Sequence, residues 1–299
     1  MRAKHFLRRI IAVSILYGPV GMMATAKIQI LAEPTEVQGV PCQGKVELSE
    51  NGRIRFCTLA RDHTVAAYSL PTGTAVRFNE AGEVESCVLG LQATIEGFIL
   101  PAGSEVGFRK NRAHSCPLLR DTLIRGVPLP ANSTVFFWTL KGWESEVPDT
   151  WNCWLPTDTL IQGHLCGSID EGCGDIFYPS GKLRAVGLAQ DEEIDGVPCT
   201  SRHNPLRLGT RVLFYGLDVR AWFYENGHLA QGLVSRDCTI EGRKFKPGDI
   251  VRLTPKGTLD TAAGETLGAN SRLRSRRTPP ESYIPSSGNA LGASRSGPQ

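Results

Sequence analysis

An acidic or amide side chain recurs six times in this sequence, and a β-branched residue follows it three places later each time. The six positions are Asp62, Gln92, Asp121, Asp158, Asp191 and Asp237. A column of carboxylates could bind Ca²⁺, which takes several oxygen ligands. An aspartate in a turn could instead accept hydrogen bonds from backbone N–H groups just ahead of it. We favour this structural role and predict no metal site, because calcium loops place several carboxylates close together and each copy here offers one.

Tryptophan is the second residue type whose placement points to a function, because four of the five tryptophans fall within residues 138–154. Large rigid rings can stack on sugars or anchor a partner, or they can fill the place where an insertion breaks regular packing. A second insertion, which contains Arg202 and His203, carries a small basic patch. The candidate ligand-binding residues are Trp138, Trp143, Trp151, Trp154, Arg202 and His203, and the expected partner is an envelope glycan or protein.

Catalytic motifs are absent from the sequence: it contains no Gly-x-Ser-x-Gly elbow, no His-Glu-x-x-His and no phosphate-binding glycine loop. An enzyme built on this chain would be a cell-envelope hydrolase with its site in the irregular region 138–175. Its candidate residues are Asp149, Asp158, His164, Asp170 and Glu171, and two of them would have to converge in a cleft. We assign no catalytic residue and no cofactor, and we favour a protein that is not an enzyme.

A repeated structural unit must position all of these residues, because the recurring side chain appears at intervals of 30, 29, 37, 33 and 46 residues. In the best-kept copy, apolar and polar residues alternate over 76–79 and 84–89, with a turn glycine at Gly82 between them. Equivalent glycines are Gly52, Gly181, Gly227 and Gly257. The sequence therefore predicts an all-β fold in which repeated antiparallel hairpin units of about 30 residues form an extended or curved sheet. The alternative is a β-solenoid, and the pairing between the two segments distinguishes these folds.

The two ends of the chain differ from the middle. Residues 1–26 combine a basic start, an apolar run over residues 10–23 and a small-residue cleavage pattern that ends at Ala26, which is typical of a secretory signal peptide. From residue 262 the chain is basic and rich in Pro, Gly and Ser, which predicts a disordered tail. We expect a signal peptide (1–26), a β-repeat domain (27–261) and a tail (262–299). The protein would be periplasmic or secreted, with no transmembrane segment after cleavage.

Charge argues against one class of partner. The formal net charge of +3 comes from the basic ends of the chain, and the body between them is mildly acidic. Phosphate contacts need clustered lysine and arginine. No nucleic acid is therefore expected on the folded body.

Nine cysteines in a chain with an export signal favour disulfides, although an odd number leaves at least one thiol free or paired with another chain. One class lies five residues before the recurring Asp or Gln, and it comprises Cys57, Cys87, Cys116 and Cys153. A second class lies three residues after a glycine, and it comprises Cys42, Cys166 and Cys199. The spacing allows a bridge between the classes, such as Cys42 to Cys57, and equally allows the first class to be small buried hydrophobic side chains.

Two hairpin segments, 177–183 and 222–229, place an aromatic residue before Ser-Gly or Asn-Gly and a leucine after it. They resemble the core of the variant MORN repeat (membrane occupation and recognition nexus). The resemblance implies an elongated antiparallel sheet used for contacts, and it carries over no catalytic residue. The chain otherwise resembles exported bacterial β-repeat proteins. We therefore predict an extracytoplasmic repeat protein that acts as a binding or structural scaffold, with the envelope hydrolase as the alternative.

Overall fold

The computed structural model describes residues 27–137, 150–168, 174–201 and 220–261. These residues fall into two compact units, one within 27–190 and one within 191–261. Strands are numbered β1 to β26 along the chain, and the described residues contain no helix. The fold is all-β, as predicted.

Fourteen strands belong to long antiparallel sheet structure. Eleven of them lie in the first unit and three lie in the second. In the first unit they are β1 (Lys27–Val37), β2 (Val40–Leu48), β3 (Ile54–Leu59), β6 (Ala75–Phe78), β7 (Val84–Val88), β10 (Glu105–Arg109), β11 (Arg112–Pro117), β14 (Thr134–Phe136), β15 (Trp151–Trp154), β18 (Asp175–Phe177) and β19 (Leu183–Val186). In the second unit they are β22 (Ala221–Phe223), β23 (Leu229–Leu233) and β26 (Ile250–Arg252). Within each unit the spatial order of these strands follows the chain.

The twelve remaining strands form six short hairpins, one for each copy of the recurring phrase. They are β4 (His63–Val65) with β5 (Tyr68–Leu70), β8 (Ala93–Ile95) with β9 (Phe98–Leu100), β12 (Thr122–Ile124) with β13 (Val127–Leu129), β16 (Thr159–Ile161) with β17 (His164–Cys166), β20 (Glu192–Ile194) with β21 (Val197–Cys199), and β24 (Cys238–Ile240) with β25 (Arg243–Phe245). One repeat unit is therefore a pair of sheet strands followed by a short hairpin.

The pairing of β6 with β7 decides between the two predicted folds. These strands are antiparallel, with Val76 opposite Cys87 and Phe78 opposite Val84. The prediction of antiparallel hairpin units is confirmed, and the β-solenoid alternative is wrong. The connection is short because Gly82 takes a φ of 83°, which glycine adopts without a steric penalty.

The short hairpins close with two-residue loops of the kind that matches strand twist. Glu96 and Gly97, for example, have φ values of 49° and 76°, and two successive positive φ values are the mark of a type I′ turn. The side chain at the first loop position then reaches a turn of the long sheet. Gln162 Nε2 donates to the carbonyl of Gly181 at 2.8 Å, and its Oε1 accepts from the N–H of Leu183 at 3.1 Å.

The recurring aspartate closes the base of its hairpin. The Oδ1 atom of Asp158 accepts a 2.8 Å hydrogen bond from the backbone N–H of Ser168, ten residues further along. The same bond joins Asp62 to Thr72, Asp121 to Ala131 and Asp191 to Ser201. The bond to backbone agrees with the structural role favoured from sequence, but it spans the whole hairpin rather than the residues just ahead. At Asp237 the residue ten places on is Pro247, which has no N–H to donate.

The core of the first unit lies between the long sheet and the short hairpins. On the core face of the sheet, cysteine and valine alternate from strand to strand: Cys57 faces Val76, which faces Cys87, which faces Val106, and farther along Cys116 faces Val135, which faces Cys153. All of these side chains are buried. Phe98 of a short hairpin packs edge-on against Phe137 and Trp151 of the sheet, at 5.1 and 5.7 Å between ring centroids, so the hairpins cover this face.

Within the described part of the chain, no helix has the length and apolar character needed to cross a bilayer. The predicted signal peptide and tail lie outside the described residues.

Candidate ligand-binding surface

Two of the six candidate binding residues, Trp151 and Trp154, lie in the described part of the chain. Trp138, Trp143, Arg202 and His203 lie outside it. Both described tryptophans belong to β15, where successive side chains point to opposite faces. Because three positions separate them, they lie on different faces, and their environments differ accordingly.

Trp151 is a core residue. Its side chain is 1% exposed, its ring stacks on Phe177 with 4.2 Å between centroids and 12° between planes, and its Nε1 donates to the carbonyl of Tyr178 at 3.1 Å. These contacts match the packing alternative stated for the tryptophan cluster. The ring of Trp151 therefore offers no surface to a ligand in this conformation.

Trp154 lies on the open face of the sheet and is 41% exposed. Its ring contacts Phe136 at 4.7 Å between centroids, and Phe136 contacts His114 edge-on at 5.4 Å. We call these three side chains the aromatic platform. The backbone of Gly174 lies close to the indole, since a Cβ at that position would be 2.8 Å from Trp154 Cδ1. This glycine lets the chain pass beside the ring and so helps to fix its orientation.

The platform stands at one end of two rows of side chains that cross the open face. The register places the first row as Phe56, Arg77, Ser86, Gly107, Ser115, Phe136 and Asn152, one from each of seven adjacent strands. The second row includes Thr134 opposite Trp154 and Thr58 opposite Ala75. At about 4.8 Å between strands, the first row is roughly 29 Å long. The open face thus presents hydroxyl and amide groups between aromatic rings.

Two polar side chains in or beside the platform, His114 and Asn152, carry no charge at neutral pH. Burial lowers the pKa of His114 below its ordinary value, and the nearby Arg109 charge lowers it further, so its imidazole is uncharged at pH 7. The Oδ1 atom of Asn152 is buried and has no hydrogen-bond partner among the described residues. Because this oxygen is buried, it does not contact a ligand on the open face in this conformation, and leaving it unpaired costs free energy of folding.

The residues proposed for a hydrolase do not converge in the described part of the chain. Asp158 lies at the base of its hairpin, where Ser168 binds its carboxylate, whereas His164 lies at the tip, opposite Ile161. Asp149, Asp170 and Glu171 lie outside the described residues. No group of three or more His, Cys, Asp or Glu side chains among the described residues could hold a metal ion.

None of the eight cysteines in the described ranges forms a disulfide in the structure, so the expected disulfides stay a prediction, and seven of the eight side chains are buried. Burial raises the pKa of Cys87 and of Cys116 to about 12, so both are protonated at neutral pH. This state is typical of structural cysteines rather than of nucleophiles.

A second exposed feature lies on the outer side of the short hairpins in the first unit. Ile99, Leu123 and Leu160 occupy the middle positions of three successive hairpins and are 64%, 68% and 66% exposed. Their hairpin neighbours on the same side include Pro128 and Leu165. We call this feature the aliphatic row.

Sequence reasoning missed Phe136, Ser115 and Asn152 as parts of a surface. Period-two alternation around Trp154 could have identified Asn152, because both are two positions apart on one strand. No sequence signal places Phe136 and Ser115 beside them, since that depends on the register of three strands.

No protein-family model matches the chain, and no curated protein matches it either. The resemblance to the MORN core therefore rests on segments 177–183 and 222–229 alone, both of which form hairpins of the long sheet.

Proposed function

We propose that this chain is an extracytoplasmic repeat protein whose open sheet face binds a linear glycan of the cell envelope. The observation that carries the proposal is the first row of the open face, which joins the aromatic platform to hydroxyl, amide and guanidinium groups over seven strands. Sugars present apolar CH faces and hydroxyl groups, and these are complementary to aromatic rings and to neutral hydrogen-bonding side chains. The extent of the row suits a polymer rather than a single sugar.

The repeat architecture supports a binding role. Four of the recurring aspartates accept hydrogen bonds from backbone N–H groups, the turn glycines permit positive φ, and the repeated geometry of the hairpins builds a long surface whose side chains can vary. The extracytoplasmic location rests on the signal-like residues 1–26.

Affinity electrophoresis of the exported protein in gels that contain envelope polysaccharides tests the proposal. Trp154→Ala should weaken retention at least about fivefold, because removal of an aromatic contact that anchors a ligand costs more than about 1 kcal/mol. Leu160→Ala removes a similarly exposed apolar side chain from the hairpin side and should leave retention unchanged. Equal retention of Trp154→Ala and wild type would exclude the platform as the binding site, provided both variants melt as the wild type does.

A protein partner is the second candidate function, and the aliphatic row favours it. Exposed aliphatic side chains lie at the middle of a strand in each of three successive hairpins, and exposed apolar patches are typical of protein contacts. Crosslinking in the envelope fraction should then capture a partner of the wild-type protein. Leu123→Glu should lose this partner, and Trp154→Ala should retain it. Loss of the partner with Trp154→Ala instead would assign it to the open face.

A further inference from the structure

Cys42 on β2 and Cys57 on β3 are neighbouring thiols, and the geometry of the repeat accounts for their position. Cys42 on β2 is directly opposite Leu59 on β3, and Cys57 lies two residues before Leu59 on the same face. Diagonal neighbours in a regular antiparallel pair are about 7–8 Å apart, and the register between β2 and β3 shifts directly after Gln43, so the local spacing departs from the regular value. Both residues are fully buried, at 0% exposure, and the neighbouring thiol is the main cause that lowers the pKa of Cys42 and raises the pKa of Cys57.

An equivalent pair of positions in the second unit gives an independent measure of this geometry. Cys199 is opposite Val234, as Cys42 is opposite Leu59, and Gly232 lies two residues before Val234. Gly232 and Cys57 each lie five residues before the recurring aspartate. A Cβ at Gly232 would be only 2.7 Å from the sulfur of Cys199. In this repeat, the residue at the position of Cys57 therefore directly adjoins the sulfur of a cysteine at the position of Cys42.

The other cysteines of the first class cannot bridge one another. Each is separated from the next by a strand that contributes a valine, so two strand spacings, about 9.6 Å, lie between neighbours. A disulfide requires Cα atoms no more than about 7 Å apart. Cys57 therefore has Cys42 as its partner within reach, and Cys87, Cys116 and Cys153 have none in their own row.

We propose that Cys42 and Cys57 are joined by a disulfide in the exported protein, and that this bond fastens the terminal hairpin, β1 and β2, to the rest of the sheet. The proposal rests on the extracytoplasmic location proposed above, because disulfides persist in oxidising compartments. β1 is an edge strand with exposed Ile28 and Ile30. Fastening β2 limits opening of an edge that would otherwise pair with other chains.

The oxidant is an external disulfide, either that of a thiol–disulfide oxidoreductase or oxidised glutathione. The thiolate of Cys42 attacks one sulfur of that disulfide, which breaks the bond and releases one thiol. The thiolate of Cys57 then attacks Cys42 Sγ in the mixed disulfide and releases the second thiol. The two cysteines lose two electrons and two protons, and the oxidant gains them. Because both sulfurs are buried in the folded chain, the reaction precedes closure of the terminal hairpin.

Peptide mapping of the full exported protein tests the pairing. Free thiols are alkylated in denaturant without reductant, and the protein is then digested with trypsin. Cleavage after Lys45 and Arg55 separates the two cysteines, so the bond would link peptide 28–45 to peptide 56–61. The expected result is this linked pair, with two fewer of the nine cysteines alkylated. A different linkage of Cys42 or Cys57 would overturn the proposal.

A parallel sample refolded in a glutathione redox buffer separates the pairing from the location. If the link forms in that buffer but not in cells, the pairing stands and the proposed location fails. If it forms in neither, the pairing is wrong.

Thermal melting with and without a reductant provides a second measurement. Closing a 15-residue loop should raise the melting temperature of the wild type by roughly 6–12 °C. Cys42→Ser and Cys57→Ser should each lose this dependence on reductant, and the matched variant Cys87→Ser should keep it. Each variant is compared with itself, with and without reductant, so the effect of the substitution itself on the melting temperature cancels. A dependence on reductant that survives in Cys57→Ser would refute the assignment.

Discussion

Gly181 and Gly82 give a paired test of how the short hairpins rest on the long sheet. Both glycines close three-residue turns of the sheet in the first unit, and their φ values are 84° and 83°. A Cβ at Gly181 would overlap the carbonyl oxygen of Arg125, at the tip of a short hairpin, whereas the atom nearest to a Cβ at Gly82 is Arg53 Nη1 at 3.9 Å. The two sites therefore differ in contact but not in backbone conformation.

The expected losses of stability follow from this difference in contact. An L-residue in the left-handed region costs about 1–2 kcal/mol, and Gly82→Ala should lose that much of the free energy of unfolding. Gly181→Ala should lose a further amount of about 1–3 kcal/mol, which is typical of overpacking. The Arg125 backbone cannot retreat freely, because its Nη1 donates to the carbonyl of Pro179 at 2.8 Å and its guanidinium lies 4.2 Å from the ring centroid of Phe98.

Urea unfolding followed by tryptophan fluorescence measures both variants in the same compact unit. Circular dichroism before the titration checks that each variant retains its β structure. The expected order of stability is wild type, Gly82→Ala, Gly181→Ala, with unchanged dependence on urea concentration. Equal losses for the two variants would refute the close approach of hairpin and sheet at Gly181.

Three further predictions concern the recurring aspartate, the buried thiols and metal binding. Asp158→Ala should lower the free energy of unfolding by about 1 kcal/mol, and Asp158→Asn, which keeps an acceptor for the Ser168 N–H, should lose less; thermal melts check this, and equal losses would contradict the hydrogen bond. Burial raises the pKa of Cys87 from 9.0 to about 12, so the folded state favours the protonated thiol. The contribution of this protonated thiol to the free energy of unfolding is complete below about pH 9. It is lost as pH rises toward 12, by up to about 1.4 kcal/mol per pH unit. Cys87→Ala should flatten the fall in stability measured by urea titrations between these pH values, and an unchanged slope would contradict the assignment. Added Ca²⁺ or EDTA should not shift the melting temperature, because backbone N–H groups already bind the aspartates; a rise of several degrees with Ca²⁺ would restore the calcium hypothesis.

The fold could be predicted largely because its signals are local. The alternation over 76–79 and 84–89 and the glycine between them specify a hairpin whatever the rest of the chain does, since side-chain period and turn geometry depend on neighbouring residues. The sequence does not predict the short hairpins as separate elements. Their loops place Glu96 or Arg125 at positive φ, which these residue types signal poorly.

The candidate site was less predictable because exposure is not a property of residue type. The sequence grouped Trp151 with Trp154, and only the strand places one in the core and the other on the open face. The partners of Trp154 come from β11 and β14, which are distant in the sequence and adjacent in the sheet.

By itself the sequence determined the repeat, the antiparallel hairpins, the turn residues and two classes of cysteine, because each depends on spacing along the chain. The tertiary structure alone decided which face each strand buries and which side chains meet across strands. That is why the recurring aspartate, which invited a chemical role, proved to fasten a hairpin. Register converts spacing along the chain into neighbours in space, and it is fixed only when the whole sheet packs against its hairpins.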